Sequence, residues 1–156
     1  MRLTELLSPE VIRIPLQNNR KDQIIAELVD LLYKAKKIKN FETVLAAVME
    51  RERVMSTAMG DGVAIPHAKT DAVDGLAAAF GITRNLVDFD SIDGKPVHIV
   101  FLLIGPTEQS GPHLKALSRI SRLMHREEFR QRLAGASDGQ EVLDIIQAEE
   151  RKYFSF

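Results

Sequence analysis

Val97-His98-Ile99-Val100-Phe101-Leu102-Leu103-Ile104 decides the architecture. From Ile99 to Ile104 every residue is apolar, and the run has the length of a strand. A strand wetted on one face alternates apolar and polar residues, whereas a strand covered on both faces reads as continuously apolar. The run therefore predicts a central strand with chain packed on each side. It is also the longest strongly apolar run, far short of the ~20 residues a membrane-spanning helix requires. Around it lie further strand signals. Leu76 to Thr83 is a second apolar run of strand length. Val11 to Leu16 is a short strand, and Pro15 places it at an edge or at its end, because proline cannot donate to a ladder. Val63-Ala64-Ile65 is extended, since Ile65 precedes Pro66 and is pushed towards β. Met59-Gly60-Asp61-Gly62 ahead of it is turn chemistry. Asn85 to Asp93 reads as a loop or short hairpin built around Phe89.

Helical periodicity brackets these strands. Ile24, Ile25, Leu28, Val29, Leu31 and Leu32 form an apolar stripe, which predicts a helix from about Lys21 to Ala35 with Asn18 or Asn19 as its cap. Asn40 caps a second helix, with Phe41, Val44, Leu45, Val48 and Met49 inside, ending near Arg51 or Arg53. Gly111-Pro112 opens a third, because proline is tolerated in a first turn. Its expected buried face is Leu114, Leu117, Ile120, Leu123 and Met124. A fourth piece covers Glu127 to Leu133, and Asp138 caps a last helix with Val142, Leu143, Ile145 and Ile146 inside. Helices before and after a strand-rich middle imply an α/β fold: a single domain over residues 1–156, a small mixed sheet with helices on both faces.

Composition narrows the function. The 156 residues are 45% hydrophobic and 28% charged, an ordinary globular balance. Lys and Arg number 21 and Asp and Glu 22, a net charge of −1 that argues against a generic nucleic-acid binder. There is no cysteine, which excludes disulfides, Cys-ligated metal and a thiol nucleophile. Met1 to Pro9 lacks the apolar length of a signal peptide, so a cytoplasmic protein without direct membrane insertion is expected.

Histidine, hydroxyl and carboxylate groups remain as reactive candidates. His67 ends Gly62-Val63-Ala64-Ile65-Pro66-His67, where proline stiffens the approach to an imidazole at a strand end. Its bland alternative is a solvated loop residue. His113 falls in the first turn of the third helix, where free N–H groups favour an anion and disfavour imidazolium. Its alternative is a polar surface residue. His98 reads as a satisfied structural histidine and His125 as a helix-end residue. Arg51 and Arg53, followed by Ser56-Thr57, have donors that suit phosphate, although an exposed helix end explains them equally well. Lys115, Arg119, Arg122, Arg126 and Arg130 recur at three- and four-residue steps, either a solvated face or a surface for an acidic partner. A metal hydrolase built on His67, Asp71, Asp74 and His113 is the competing chemistry, but no recognised ligand spacing supports it.

Taken together, Arg51-Glu52, Ser56-Thr57, Gly62 to His67, Phe89-Asp90, Ile92 to Val97 and His113-Leu114-Lys115-Ala116-Leu117 resemble a known family. It is the fructose/mannitol-type IIA domain of the bacterial phosphoenolpyruvate-dependent sugar phosphotransferase system, with its nitrogen-regulatory members. The likeness runs from Leu3 to about Ile146. It implies that His67 is phosphorylated by an HPr-type phosphohistidine carrier. It further implies that His113 is the second active-site histidine, Arg51 the phosphate-side cation, and Ser56 and Thr57 a nearby hydroxyl pair. Phosphate would pass to a IIB domain, or phosphorylation would regulate binding to a target protein. The absence of an attached IIB or membrane domain leans towards regulation. No metal or cofactor is implied. Ala68, where many members have glycine, and Met59, often a smaller or β-branched residue, depart from the pattern. For the attacking tautomer to be fixed, a backbone carbonyl or nearby side chain should hold the other ring nitrogen of His67 as N–H.

Overall fold

A computed structural model describes residues 2–154, so residues 1, 155 and 156 lie outside it. After two 3-10 turns at Leu3–Glu5 and Pro9–Val11, the order is β1 (Ile12–Leu16), α1 (Lys21–Lys34) and α2 (Phe41–Val54). Next come β2 (Ala58–Gly60), β3 (Val63–Ala64), β4 (His67–Lys69), β5 (Ala77–Val87) and β6 (Val97–Gly105). The chain closes with α3 (Ser110–Met124), α4 (Glu127–Ala134) and α5 (Gly139–Tyr153).

β6 is the centre that its sequence predicts. It pairs antiparallel with β5 on one side and parallel with β3 and then β4 on the other, and each residue from Ile99 to Ile104 is fully buried. The mixed sheet runs β1-β5-β6-β3-β2, with β4 added along β6 beyond β3. β1 lies at an edge, the position that suits Pro15, and it is parallel to β5. Its close approach depends on Gly81, where a Cβ would stand 2.5 Å from Leu16 Cδ2. α1 and α2 pack on each other, α1 against β5 and α2 against β4. α3 packs against β6 and α4, while α5 packs against β1 and α4, so helices cover both faces. Among the described residues no helix is long and apolar enough to cross a membrane.

Several local expectations change. α1 is capped by neither Asn18 nor Asn19: Arg20 precedes it without a side-chain cap, and the Asn18 amide donates to Glu27 at 2.8 Å instead. Asn40 and Asp138 do cap, accepting from the N–H groups of Thr43 and Glu141. β5 continues past Thr83 to Val87, which pairs with Val97, so the expected loop from Asn85 begins only after Val87. The buried face of α3 is rotated: His113, Ala116, Ile120, Leu123 and Met124 point inward, whereas Leu114 is 68% exposed.

The basic stripe after His113 stays largely at the surface: Lys115, Arg122 and Arg126 are exposed, whereas Arg119 and Arg130 are half-buried. Arg119 and Arg122 stack over Phe154 at 4.2 and 4.9 Å, and Arg126 lies over Tyr153. Arg130 donates to the Met124 carbonyl at 2.7 Å and faces Asp61 at 3.9 Å.

Candidate functional site

The site grows from the interruption between β3 and β4. Both lie parallel along β6, but Pro66 has no N–H and Ile65 turns its own N–H away, to the Thr57 carbonyl at 3.0 Å. The ladder resumes at His67, opposite Leu103. Two residues on, Lys69 falls on the same side of the strand as His67. Beyond β6 the chain enters α3, and the His113 N–H bonds the Gln109 carbonyl in the first turn. The inward face of that helix brings the His113 ring over the end of β6. Gly105 leaves room for it: a Cβ there would stand 2.8 Å from His113 Nδ1.

The two imidazoles meet with ring centroids 5.9 Å apart and planes tilted by 55°. His67 Nδ1 lies 2.7 Å from the Ile65 carbonyl oxygen. A carbonyl can only accept, so Nδ1 carries the hydrogen and Nε2 keeps a free lone pair. This is the backbone clamp expected from the sequence. Burial is the main influence lowering the His67 pKa, and the nearby Arg51 guanidinium lowers it further. The bond to Ile65 and the charge of Glu52 act against that shift. His113 is 4% exposed, and its Nδ1 is buried without a hydrogen-bond partner. Burial, then the neighbouring His67 and Lys69, push its pKa down to about 4. Both rings are therefore neutral near pH 7, which leaves the His67 lone pair available for attack on an electrophile.

Above the rings opens a depression of about 660 Å³, walled by Arg51 from α2, Lys69 from β4, and Ser110 and His113 from α3. Lys69 Nζ donates to Ser110 Oγ at 3.2 Å. Ala47, Val54, Leu114 and Leu117 give it an apolar border. A tetrahedral anion set here would meet cations and neutral imidazoles without a facing carboxylate other than Glu50.

Other sequence candidates sit elsewhere. Ser56 Oγ donates to the Phe89 carbonyl at 2.8 Å and accepts from the Ala58 N–H, in a separate depression beside Lys21. Thr57 is buried, its hydroxyl donating to Glu52 Oε2 at 2.7 Å and its N–H to Oε1 at 2.9 Å. Ala68 is buried within the site wall, and Met59 is half-buried in β2. His98 is not the satisfied histidine expected: its Nδ1 is buried without a partner, packed where a Cβ on Gly62 would stand 2.8 Å away. His125 closes α3. Asp74 pairs with Lys39 at 2.9 Å, and among the described residues no three His, Asp or Glu side chains gather as a metal cage. Glu52 and Lys69 were missed. Lys69 was findable from its two-residue spacing to His67; Glu52 stood in the Arg51-Glu52 motif but carried no role, because a charged residue in a helix's last turns reads as exposed.

The mixed α/β sheet thus presents paired neutral imidazoles at the mouth of a depression lined by Arg51 and Lys69. The family model for the phosphoenolpyruvate-dependent sugar phosphotransferase system, EIIA 2, matches residues 5–149, and the chain belongs to that family. It is 39% identical over 97% of its length to a fructose-specific EIIABC component of Bacillus subtilis, covering 24% of that protein. It is 36% identical to a nitrogen regulatory protein of Bradyrhizobium diazoefficiens, over 94% of this chain and 95% of the other. Among solved structures, the nitrogen regulatory protein IIA-Ntr of Neisseria meningitidis superposes with a TM-score of 0.87 at 32% identity, over 92% of this chain and 98% of that one.

Proposed function

We propose that the protein is a cytoplasmic phosphoryl carrier that accepts a phosphoryl group on Nε2 of His67 from an HPr-type phosphohistidine protein. The observation that carries this reading is the Nδ1 bond to Ile65 at 2.7 Å, beside the second ring at 5.9 Å. The free Nε2 lone pair forms the new P–N bond while the P–N bond of the donor breaks, its electron pair returning to the donor nitrogen. Phosphoryl transfer asks chiefly for positioning and for charge stabilisation at the equatorial oxygens. Arg51 and the His113 ring supply that stabilisation, and no metal takes part. Ser56 and Thr57 act behind the site, fixing the loop after α2.

Incubation with phosphoenolpyruvate, the first enzyme of the system and HPr is expected to give an acid-labile, base-stable phosphoprotein. His67→Ala should abolish labelling, and persistent labelling would move the acceptor elsewhere. His113→Ala should fold and slow transfer.

Onward use has two readings. The fructose-specific relative supports donation to a IIB domain; the nitrogen regulatory relatives support a protein-binding module switched by phosphorylation. Transfer of label to a IIB domain supports the first, while a target captured by only one phosphorylation form supports the second.

A further inference from the structure

Behind the reacting ring lies a buried carboxylate that none of the steps above uses. Glu52 is 6% exposed, in the last turn of α2 and next to Arg51. Its two oxygens bind the N–H and hydroxyl of Thr57 at 2.9 and 2.7 Å, and Lys21 Nζ of α1 closes on Oε1 at 3.0 Å. Thr57 in turn accepts the Ile65 N–H at 3.0 Å, and the Ile65 carbonyl accepts His67 Nδ1–H at 2.7 Å. An unbroken series of hydrogen bonds thus joins Glu52 to the ring nitrogen opposite the attacking one. The geometry points to Glu52 as a positioning residue for phosphoryl acceptance: through Thr57 and Ile65 it fixes the His67 tautomer, and its charge balances the ring.

This rests on His67 being the acceptor. When Nε2 bonds phosphorus, the ring gains positive character and its Nδ1–H becomes a stronger donor. A fixed carbonyl with a carboxylate behind it favours that state and needs no rearrangement at the moment of transfer. The charges around His67 from the packed elements are Glu50, Arg51 and Glu52 of α2 and Lys69 of its own strand, with the neutral His113 of α3 beside them. Glu52 is the carboxylate whose charge offsets Arg51 at the ring. Lys21, shared between Glu52 and Asp90 at 3.0 and 3.4 Å, tempers it.

The test compares wild type, Glu52→Gln, Lys21→Met and His67→Ala in the full chain. Nitrogen NMR reports the His67 tautomer and pKa without any phosphoryl transfer, and the initial rate of labelling by phospho-HPr is followed against pH. Glu52→Gln should lower the His67 pKa, mix its tautomers and slow labelling by about tenfold or more, as removal of groups that orient working imidazoles commonly does. Lys21→Met should move the His67 pKa in the opposite direction, and it serves alone if Glu52→Gln does not fold. An unshifted pKa and tautomer in folded Glu52→Gln, or a lowered or unchanged pKa in Lys21→Met, overturns the role of Glu52. Labelling that survives in His67→Ala overturns the acceptor assignment instead.

Discussion

His113 stays neutral because the fold buries it beside His67 and Lys69, and that neutrality has a cost on acidification. Its pKa falls from 6.5 in the unfolded chain to about 4 in the native one. Between those values the unfolded state binds the additional proton, so stability rises with pH across the window and is lost as pH falls through it. The stability lost between pH 6.5 and pH 4 is on the order of 3 kcal/mol. His113→Gln is therefore expected to flatten the decline in urea-unfolding free energy between pH 7 and 5.5, ahead of most carboxylate titration. An equally steep decline in the variant would remove His113 as its source. His67 and His113 were each legible as candidates because each follows a proline or glycine-proline signal, while their pairing was legible only through the family resemblance. The duties of Ser56 and Thr57 were not: a hydroxyl's partner is a tertiary fact, and theirs are the Phe89 carbonyl and the Glu52 carboxylate.

Elements place these rings through what they omit as much as through what they supply. Gly105 ends β6 opposite Lys69, and a Cβ there would stand 2.7 Å from Leu76 Cδ2 and 2.8 Å from His113 Nδ1. Gly105→Ala should cost about 1–3 kcal/mol by overpacking. It should also displace the His113 ring, slowing phosphoryl acceptance while the His67 bond to Ile65 persists by NMR. Unimpaired acceptance would show that the His113 position is unimportant. At the start of α2, Asn40→Ala removes a bond to the Thr43 N–H and should lower stability by about 1 kcal/mol with acceptance unchanged. Strand β6 was legible because burial on both faces leaves no alternation to misread. The far end of β5 was not, since Arg84, Asn85 and Leu86 are exposed and only the pairing of Val87 with Val97 extends the strand. The face of α3 was misread by one position: leucines at 114 and 117 outweighed a histidine and an alanine in the apolar count. Yet His113 and Ala116 continue to Ile120 and Leu123 as the buried line, and Leu114 borders the open depression.

Across the whole molecule, one carboxylate ties the beginning of the described chain to its end. Glu150 of α5 is 1% exposed; its Oε2 accepts the Leu3 N–H at 2.8 Å and faces Arg119 of α3 at 3.6 Å. The first turn, α3 and α5 thus share a single buried anion, with the half-buried Arg119 beside it. A charge this deep holds its partners tightly, because removing it leaves the Leu3 N–H without this acceptor and takes away the anion beside Arg119. Glu150→Ala should cost about 3 kcal/mol or more, with little change on adding salt, since screening acts weakly on buried pairs. Asp74→Ala breaks the exposed pair with Lys39 and should cost no more than about 1 kcal/mol. Chemical unfolding of the two variants at low and high ionic strength distinguishes them. A Glu150 variant as mild as the Asp74 variant would mean that the ends are held by packing alone. Phe154 stacks on Arg119, so loosening α5 should also release that half-buried arginine to solvent. Faster proteolysis at Arg119 in Glu150→Ala than in wild type is the expected sign of that release.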